Sequence, residues 1–230
     1  MIRVQNIPAL LIKQIKDTLK NTPILVLFFV YPIIAFMMTS AMKNQPGVES
    51  FITIFATMHC VFTPVITMSS ILSEEKENNT LRVLIMSNVT LKEYFISIGG
   101  FVLITTLITG SSFLFIANKT PLGSLTFLLS LLLGSMISII LGICIGLYAK
   151  NASAANGLAV PLGMVFAFLP MLAGFNKGVE TFSRFTYGQQ IAYLMNKGSL
   201  SGFGIIIICI NVIVLAAAAT VLFRRSLREE

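Results

Sequence analysis

Six apolar runs dominate this sequence, and each is about 20 residues long or longer, the length that a helix needs to cross a bilayer. The second, third and fourth runs carry Ser, Thr and Gly but no Lys, Arg, Asp or Glu. The alternating ten-residue strands of a membrane barrel are absent from the pattern. We therefore predict an all-α integral membrane protein with six transmembrane helices in a single domain, residues 1–230. The runs cover approximately 23–42, 51–72, 95–117, 122–149, 155–174 and 203–223.

The composition excludes a water-soluble globular domain of this size. Charged residues make up 11% of the chain, whereas a soluble domain carries about 25%. Cys60, Cys144 and Cys209 lie far apart in the sequence, so we expect neither a disulfide framework nor a metal site. The net charge of +7 comes without a basic block long enough to follow a phosphate backbone, so nucleic acid is not an expected partner.

The distribution of the basic residues predicts the orientation in the membrane. Six spans place both termini on one side, and eleven of the sixteen Lys and Arg residues belong to that side. Because an excess of Lys and Arg marks the cytoplasmic face, we predict that both termini are cytoplasmic. The eleven residues are Arg3, Lys13, Lys16, Lys20, Lys76, Arg82, Lys92, Lys150, Arg224, Arg225 and Arg228.

Two segments outside the spans have patterns of their own. Residues 7–20 predict an amphipathic helix along the inner leaflet, where membrane lipids are its partners, although an ordinary basic tail is the alternative. Residues 175–202 are rich in Phe and Tyr, which favours a re-entrant outer segment of short helices before the sixth span. The apolar arc of the first segment is Leu11, Ile12, Ile15 and Leu19, opposite Lys13, Lys16 and Lys20.

The loop at 74–93 has the densest charge in the chain. Its acidic start extends the second span, and Asn78-Asn79 can turn the chain because Asn tolerates left-handed backbone angles. Thr80 is a good N-cap for a short helix over 81–86, and Thr90 with Glu93 forms a capping box. The loop is either a docking helix that transmits displacement into two spans or a charged hairpin that anchors them. Leu81, Leu84 and Ile85 would share one face of the short helix.

This loop resembles that of the ABC type-2 exporter permeases, the transmembrane subunits of bacterial drug, peptide and polysaccharide exporters. Those proteins have an amphipathic N-terminal helix, six spans and a coupling helix between spans two and three. The shared residues are Glu75-Lys76-Glu77, Thr80-Leu81, Ser87, Val89-Thr90 and Glu93. The chain departs from the family pattern at Asn79, where Gly is usual, and at Asn88, where Pro is usual.

The resemblance implies that this chain is not an enzyme and binds no cofactor. Two permease subunits, identical or different, would pair with two ATP-binding subunits that hold ATP and Mg. The sequence has no G-x-x-x-x-G-K-[ST] phosphate loop. The resemblance further implies a bacterial cytoplasmic membrane and export of an amphiphilic substrate such as an antimicrobial peptide, drug or lipid-like compound. It assigns contact with the ATP-binding subunit to Glu75, Lys76, Glu77, Thr80, Leu81, Leu84 and Ile85.

Small and polar residues within the spans predict two further features. A polar stripe on the second span either lines a translocation path or serves helix packing; it includes Thr53, Thr57, Thr63 and Thr67. A small-residue seam on the fourth span lets another helix approach closely, either in the same subunit or in its symmetry mate. The seam is Ser130, Gly134, Ser138, Gly142 and Gly146. His59, at the edge of the stripe, is interpreted as structural because no intramembrane carboxylate offers a proton-relay partner.

Two other classes of function compete with transport. A membrane-embedded enzyme would need a nucleophile with a base, or a metal cluster, within the bilayer. One histidine, three scattered cysteines and spans without Asp or Glu leave almost no groups for it. A non-transporting scaffold or immunity protein that uses the same docking loop differs from an exporter only in whether a substrate moves.

Overall fold

The computed structural model describes residues 6–42, 47–87, 89–117 and 120–229. Within these ranges the chain forms ten α-helices and no β-strand. The helices are α1 (Asn6–Lys20), α2 (Thr22–Ala41), α3 (Val48–Glu77), α4 (Thr80–Met86), α5 (Leu91–Ala117), α6 (Pro121–Tyr148), α7 (Ala152–Ala173), α8 (Lys177–Ser183), α9 (Tyr187–Lys197) and α10 (Gly202–Glu229).

The prediction of six membrane-length helices is confirmed. Among the described residues, α2, α3, α5, α6, α7 and α10 are long and apolar enough to cross a bilayer. The second of them is longer than its apolar run, because α3 continues to Glu77. Glu and Lys are good helix formers, so the charged end of the run extends the helix instead of breaking it.

Local capping chemistry explains where several helices begin. The side chain of Asn21 accepts a hydrogen bond from the Ile24 amide at the start of α2, and Asn151 accepts one from Ala154 at the start of α7. Thr120 caps α6, whose first residue is Pro121. Asn and Thr at the N-cap satisfy amides that the helix leaves free, and Pro is favoured in the first turn.

Helix α3 is the centre of the bundle. In its most apolar stretch 83% of the residues are buried, against 6% in α10. Helices α2, α5, α6 and α7 all pack against α3, with α6 making the most extensive contact. The exposed apolar surfaces of α2, α7 and α10 therefore form the outside of the bundle, as expected where lipid or another subunit covers it.

The two ends of the bundle differ in their short helices. Because the long helices alternate in direction, α1, α4 and the turn at 149–151 lie at one end, called the basic end here. Helix α1 packs against α5 and α2 at this end. Helices α8 and α9 lie at the opposite end, where α9 packs against α3, α6 and α7. There the Tyr187 ring stacks on Phe166 with centroids 5.2 Å apart, and its hydroxyl lies 3.1 Å from the Ser138 hydroxyl.

Candidate functional site at the basic end

The three charged residues that end α3 connect to three different parts of the chain. Glu75 is buried, with 7% of its surface exposed, and its carboxylate accepts a hydrogen bond from Lys13 of α1. Lys13 also pairs with Asp17 one helical turn away, at 3.2 Å. The first acidic residue of the triplet therefore fixes α1 to α3.

Lys76 and Glu77 reach the turn that joins α6 to α7. The Lys76 ammonium donates to the carbonyl oxygens of Leu147 and Ala149, each at 2.8 Å, and of Gly146 at 3.3 Å. The Glu77 carboxylate accepts from the Ala152 amide at 2.9 Å. These contacts join residues that are 70 to 75 positions apart in the sequence.

The ion pair of Lys13 is stable over the neutral pH range. Burial disfavours the charged ammonium, but hydrogen bonds and charges of Glu75 and Asp17 outweigh it and raise the pKa of Lys13 above its ordinary value of 10.5. A group whose pKa is raised on folding contributes stability that is complete below its unfolded pKa and is lost as the pH rises through the folded one. The contribution of Lys13 therefore disappears only in strongly alkaline solution.

The capping box predicted after the short helix is present. The Thr90 amide donates to the Glu93 carboxylate at 3.0 Å, and the Glu93 amide donates to the Thr90 hydroxyl at 3.3 Å. Glu93 is fully buried, and its carboxylate also accepts from the Asn6 side chain at 3.1 Å. The same carboxylate thus starts α5 and holds the beginning of α1 against it.

Helix α4 begins at Thr80 and follows a left-handed turn at Asn79, whose φ is 57°. Leu81 is buried and Leu84 packs against the core, so both face the bundle. The outward face carries Val83 and Met86, which are 59% and 77% exposed, together with Arg82.

The structure therefore divides the residues that the sequence suggested for contact with a partner. Glu75, Lys76, Leu81 and Leu84 are engaged within the chain, and the Ile85 side chain lies outside the described part. The exposed pair Val83 and Met86 was missed. A helix of seven residues with apolar groups on two faces gives no periodicity that could distinguish the inner pair from the outer one.

All four threonines singled out on the polar stripe of α3 are buried. Thr53 and Thr57 line a cavity of about 350 Å³ that is bordered by α3, α7, α8 and α9. Thr63 instead donates to the Leu27 carbonyl of α2 at 3.1 Å, and Thr67 does not line the cavities described at either end. The stripe thus borders an internal space only in the half nearer to α9.

The small-residue seam of α6 faces α3 of the same chain. Positions where a Cβ atom is lacking bring the backbones together: a Cβ on Gly142 would lie 2.8 Å from Met68 Cβ and 2.9 Å from the Val65 carbonyl oxygen. Gly134 approaches Cys60 and Gly146 approaches Leu72 in the same way. Ser130 and Ser138 are buried on this face and bond to carbonyls of their own helix.

His59 connects three helices at the centre of the bundle. Its Nε2 lies 3.1 Å from both the Thr106 carbonyl oxygen and the Thr109 hydroxyl on α5. Because a carbonyl oxygen only accepts, Nε2 carries a proton. Its Nδ1 lies 3.4 Å from the Thr63 hydroxyl, which donates to α2. These contacts are those of a structural histidine.

We expect His59→Ala to lower stability without abolishing the function of the protein. The lost interhelical hydrogen bonds cost about 1 kcal/mol, a typical value for such bonds in membranes, and the space left by the ring adds to this. The temperature at which half of the detergent-solubilised protein leaves the monodisperse peak in size exclusion measures the loss. Ser111→Ala is the control, because that hydroxyl bonds only to its own helix. Equal temperatures for the two variants would contradict the structural role.

Comparison with known proteins leaves the site to be judged on its geometry. No model of a protein family matches the chain, and no curated protein matches it significantly. Among the described residues there is also no group of three or more His, Cys, Asp and Glu side chains placed to hold a metal ion. The distinctive arrangement is thus a short helix with an exposed apolar face, attached to a charged end of the central helix.

Proposed function

We propose that this chain is the transmembrane permease subunit of an ATP-driven exporter of amphiphilic compounds. A separate ATP-binding subunit docks on α4, supplies the site for ATP and Mg, and drives the reorientation of the spans. The exposed apolar pair Val83 and Met86 on a helix continuous with the central helix is the observation that supports this proposal. It combines a docking surface with a direct connection to the helix that contacts most of the others.

The exposed face of α4 has the composition of a small protein interface. Met and Arg are enriched in such interfaces, and an apolar centre with a polar rim excludes water from it. Val83 and Met86 supply the apolar centre, and Arg82, Asn78 and Ser87 are the exposed polar residues around it. This chemistry fits a protein partner that presents an apolar groove with acidic groups at its edge.

A second permease subunit, identical or different, completes the assembly in this proposal. The outward surfaces of α2, α7 and α10 are apolar and exposed along their length. Lipid covers most of this surface, and the partner subunit covers the remainder. The protein is placed in the bacterial cytoplasmic membrane with both termini inside, so that α4 faces the compartment that contains ATP.

Co-purification from the native membrane tests the proposal. The tagged chain is extracted in mild detergent, and the proteins recovered with it are identified and counted by mass spectrometry. We expect a roughly equimolar protein that carries a phosphate-binding loop. Recovery of the chain alone, under conditions that preserve other membrane complexes, would favour a non-transporting scaffold and overturn the proposal.

Substitution of Met86 tests the docking surface. We expect Met86→Asp to reduce recovery of the ATP-binding partner by about 10-fold or more, because it puts a charge in the apolar centre of the interface. Met86→Leu keeps the apolar contact and should retain the partner. Recovery is compared at equal amounts of monodisperse permease, and normal recovery with Met86→Asp would exclude this face.

Leu84→Asp, in contrast, puts its charge against the core of the bundle, where Leu84 packs. We expect it to lower the thermal stability of the isolated chain, an effect that Met86→Asp does not have. Size exclusion after heating separates the two results. A Leu84→Asp chain that is as stable as the wild type and fails only to bind the partner would assign docking to the inner pair.

A further inference from the structure

The turn between α6 and α7 is held by side chains of α3. The last carbonyl groups of a helix have no partner within it, and a cation beside them also interacts favourably with the helix dipole. Lys76 meets both conditions at the end of α6, because its ammonium donates to the carbonyls of Gly146, Leu147 and Ala149. It takes the place of a C-terminal cap that the sequence of α6 does not itself provide.

Glu77 makes the complementary contact at the start of α7. The first amides of a helix are also without internal partners, and an anion is favoured there. The Glu77 carboxylate accepts from the amide of Ala152, the first residue of α7. The order of charges along α3, Lys and then Glu, therefore matches the order of the two helix ends that meet at the turn.

These two caps lie directly before the turn that leads into α4. Lys76 and Glu77 belong to the last turn of α3, and α4 begins at Thr80 after the left-handed Asn79. The amide of Asn79 bonds back to the Lys76 carbonyl at 3.1 Å. The short helix and the α6–α7 turn are thus attached to the same few residues.

We propose that Lys76 and Glu77 are positioning residues that make α4 and the α6–α7 turn move as one body. A displacement of α4 would then reach α6 and α7, as well as the helices α3 and α5 that flank it in the sequence. The source of that displacement, an ATP-binding partner, rests on the proposed function, whereas the linkage itself is a property of this chain. It assigns the two residues an intramolecular task in place of direct contact with the partner.

A distance measurement on the chain alone tests the linkage. Spin labels are placed at Ser87 and Ser153, which are exposed beside α4 and in the first turn of α7, after Cys209→Ser removes the exposed native thiol. In lipid nanodiscs we expect one narrow distance distribution for the wild type. Lys76→Met should add a second, longer population. Lys150→Met is the matched control, because it removes an exposed lysine from the same turn.

Hydrogen exchange gives a second measure of the same contact. Loss of a cap costs enough to speed amide exchange in residues 147–154 by about 5- to 30-fold in Lys76→Met. A Lys76→Met chain with wild-type distances and exchange would overturn the proposal. If that variant is not monodisperse, Glu77→Ala decides by the same two measures, because its bond is exposed and its loss is compatible with folding.

The complex tests whether the linkage serves coupling. The rate at which a membrane-impermeant maleimide modifies Ser153→Cys is measured in the co-purified complex with and without ATP. We expect ATP to change this rate in the wild type and Lys150→Met but not in Lys76→Met, with the partner retained in all three. An unaltered response in Lys76→Met would overturn the coupling role. Failure to recover an ATP-binding partner with the wild type would overturn the proposed function, while the distance measurement still decides the linkage.

Discussion

Gly142→Ala is expected to destabilise the bundle, although it adds a single methyl group. The new Cβ would lie 2.8 Å from Met68 Cβ, 2.9 Å from the Val65 carbonyl oxygen and 3.2 Å from the Pro64 carbonyl oxygen. Two of these neighbours are backbone atoms of the central helix, so no side-chain rotation relieves the clash. Overpacking of this kind costs about 1–3 kcal/mol, and a rigid neighbour places the variant at the upper end.

The matched control for this change is Gly157→Ala. Gly157 is also inside a helix, but nothing lies within 4 Å of the position that its Cβ would take. Ala is the better helix former by about 1 kcal/mol, so the control should be as stable as the wild type or more stable. Gly146→Ala should fall between the two, because its close neighbours all belong to the Leu72 side chain.

Heating followed by size exclusion measures the series, since the chain has no Trp to report unfolding by fluorescence. The order of midpoint temperatures should be Gly157→Ala, then Gly146→Ala, then Gly142→Ala. A Gly142→Ala chain that is as stable as the Gly157→Ala chain would show that α6 does not approach α3 as closely as the structure has it.

The six long helices and their caps could be predicted because their causes are local. Apolar runs of sufficient length have no other way to satisfy their backbone groups within a bilayer. Asn151 and Thr120 cap the helices that follow them immediately. Each of these features is decided by residues within a few positions of one another, which is the range over which a single sequence is informative.

The connections of the candidate site could not be predicted for the opposite reason. Lys13 and Glu75 are 62 positions apart, and Glu77 and Ala152 are 75 apart. The triplet at 75–77 attracts attention as a charged motif, but only the packing of α1 and α6 against α3 determines that its charges serve the chain itself. Likewise, the seam of α6 predicts a close neighbour, and only the fold identifies that neighbour as α3 of the same chain.

Lys13→Met is expected to have the second large effect, because it leaves the Glu75 carboxylate buried without its cation. Breaking a buried ion pair by removing one partner costs about 3–5 kcal/mol, and we expect the low end because the Lys13 side chain is 32% exposed. The loss falls on the junction of α1 and α3. Asp17, the other partner of Lys13, is 53% exposed and remains solvated by water.

The double variant Lys13→Met/Glu75→Leu separates the pair from the packing. Replacing both partners of a buried ion pair by apolar residues is often neutral, since the desolvation cost disappears together with the attraction. The double variant should therefore recover most of the stability that Lys13→Met loses. Lys16→Met, on the exposed face of α1, controls for the loss of a lysine from this helix.

The same heating assay gives the midpoint temperatures, and hydrogen exchange over residues 6–20 reports whether α1 stays docked. We expect fast exchange in α1 for Lys13→Met alone and near wild-type exchange for Lys16→Met and the double variant. If Lys13→Met and Lys16→Met behave alike, the Lys13–Glu75 pair contributes nothing measurable. If the double variant is as unstable as Lys13→Met, the aliphatic stem and packing of Lys13, not its charge, hold α1 against α3.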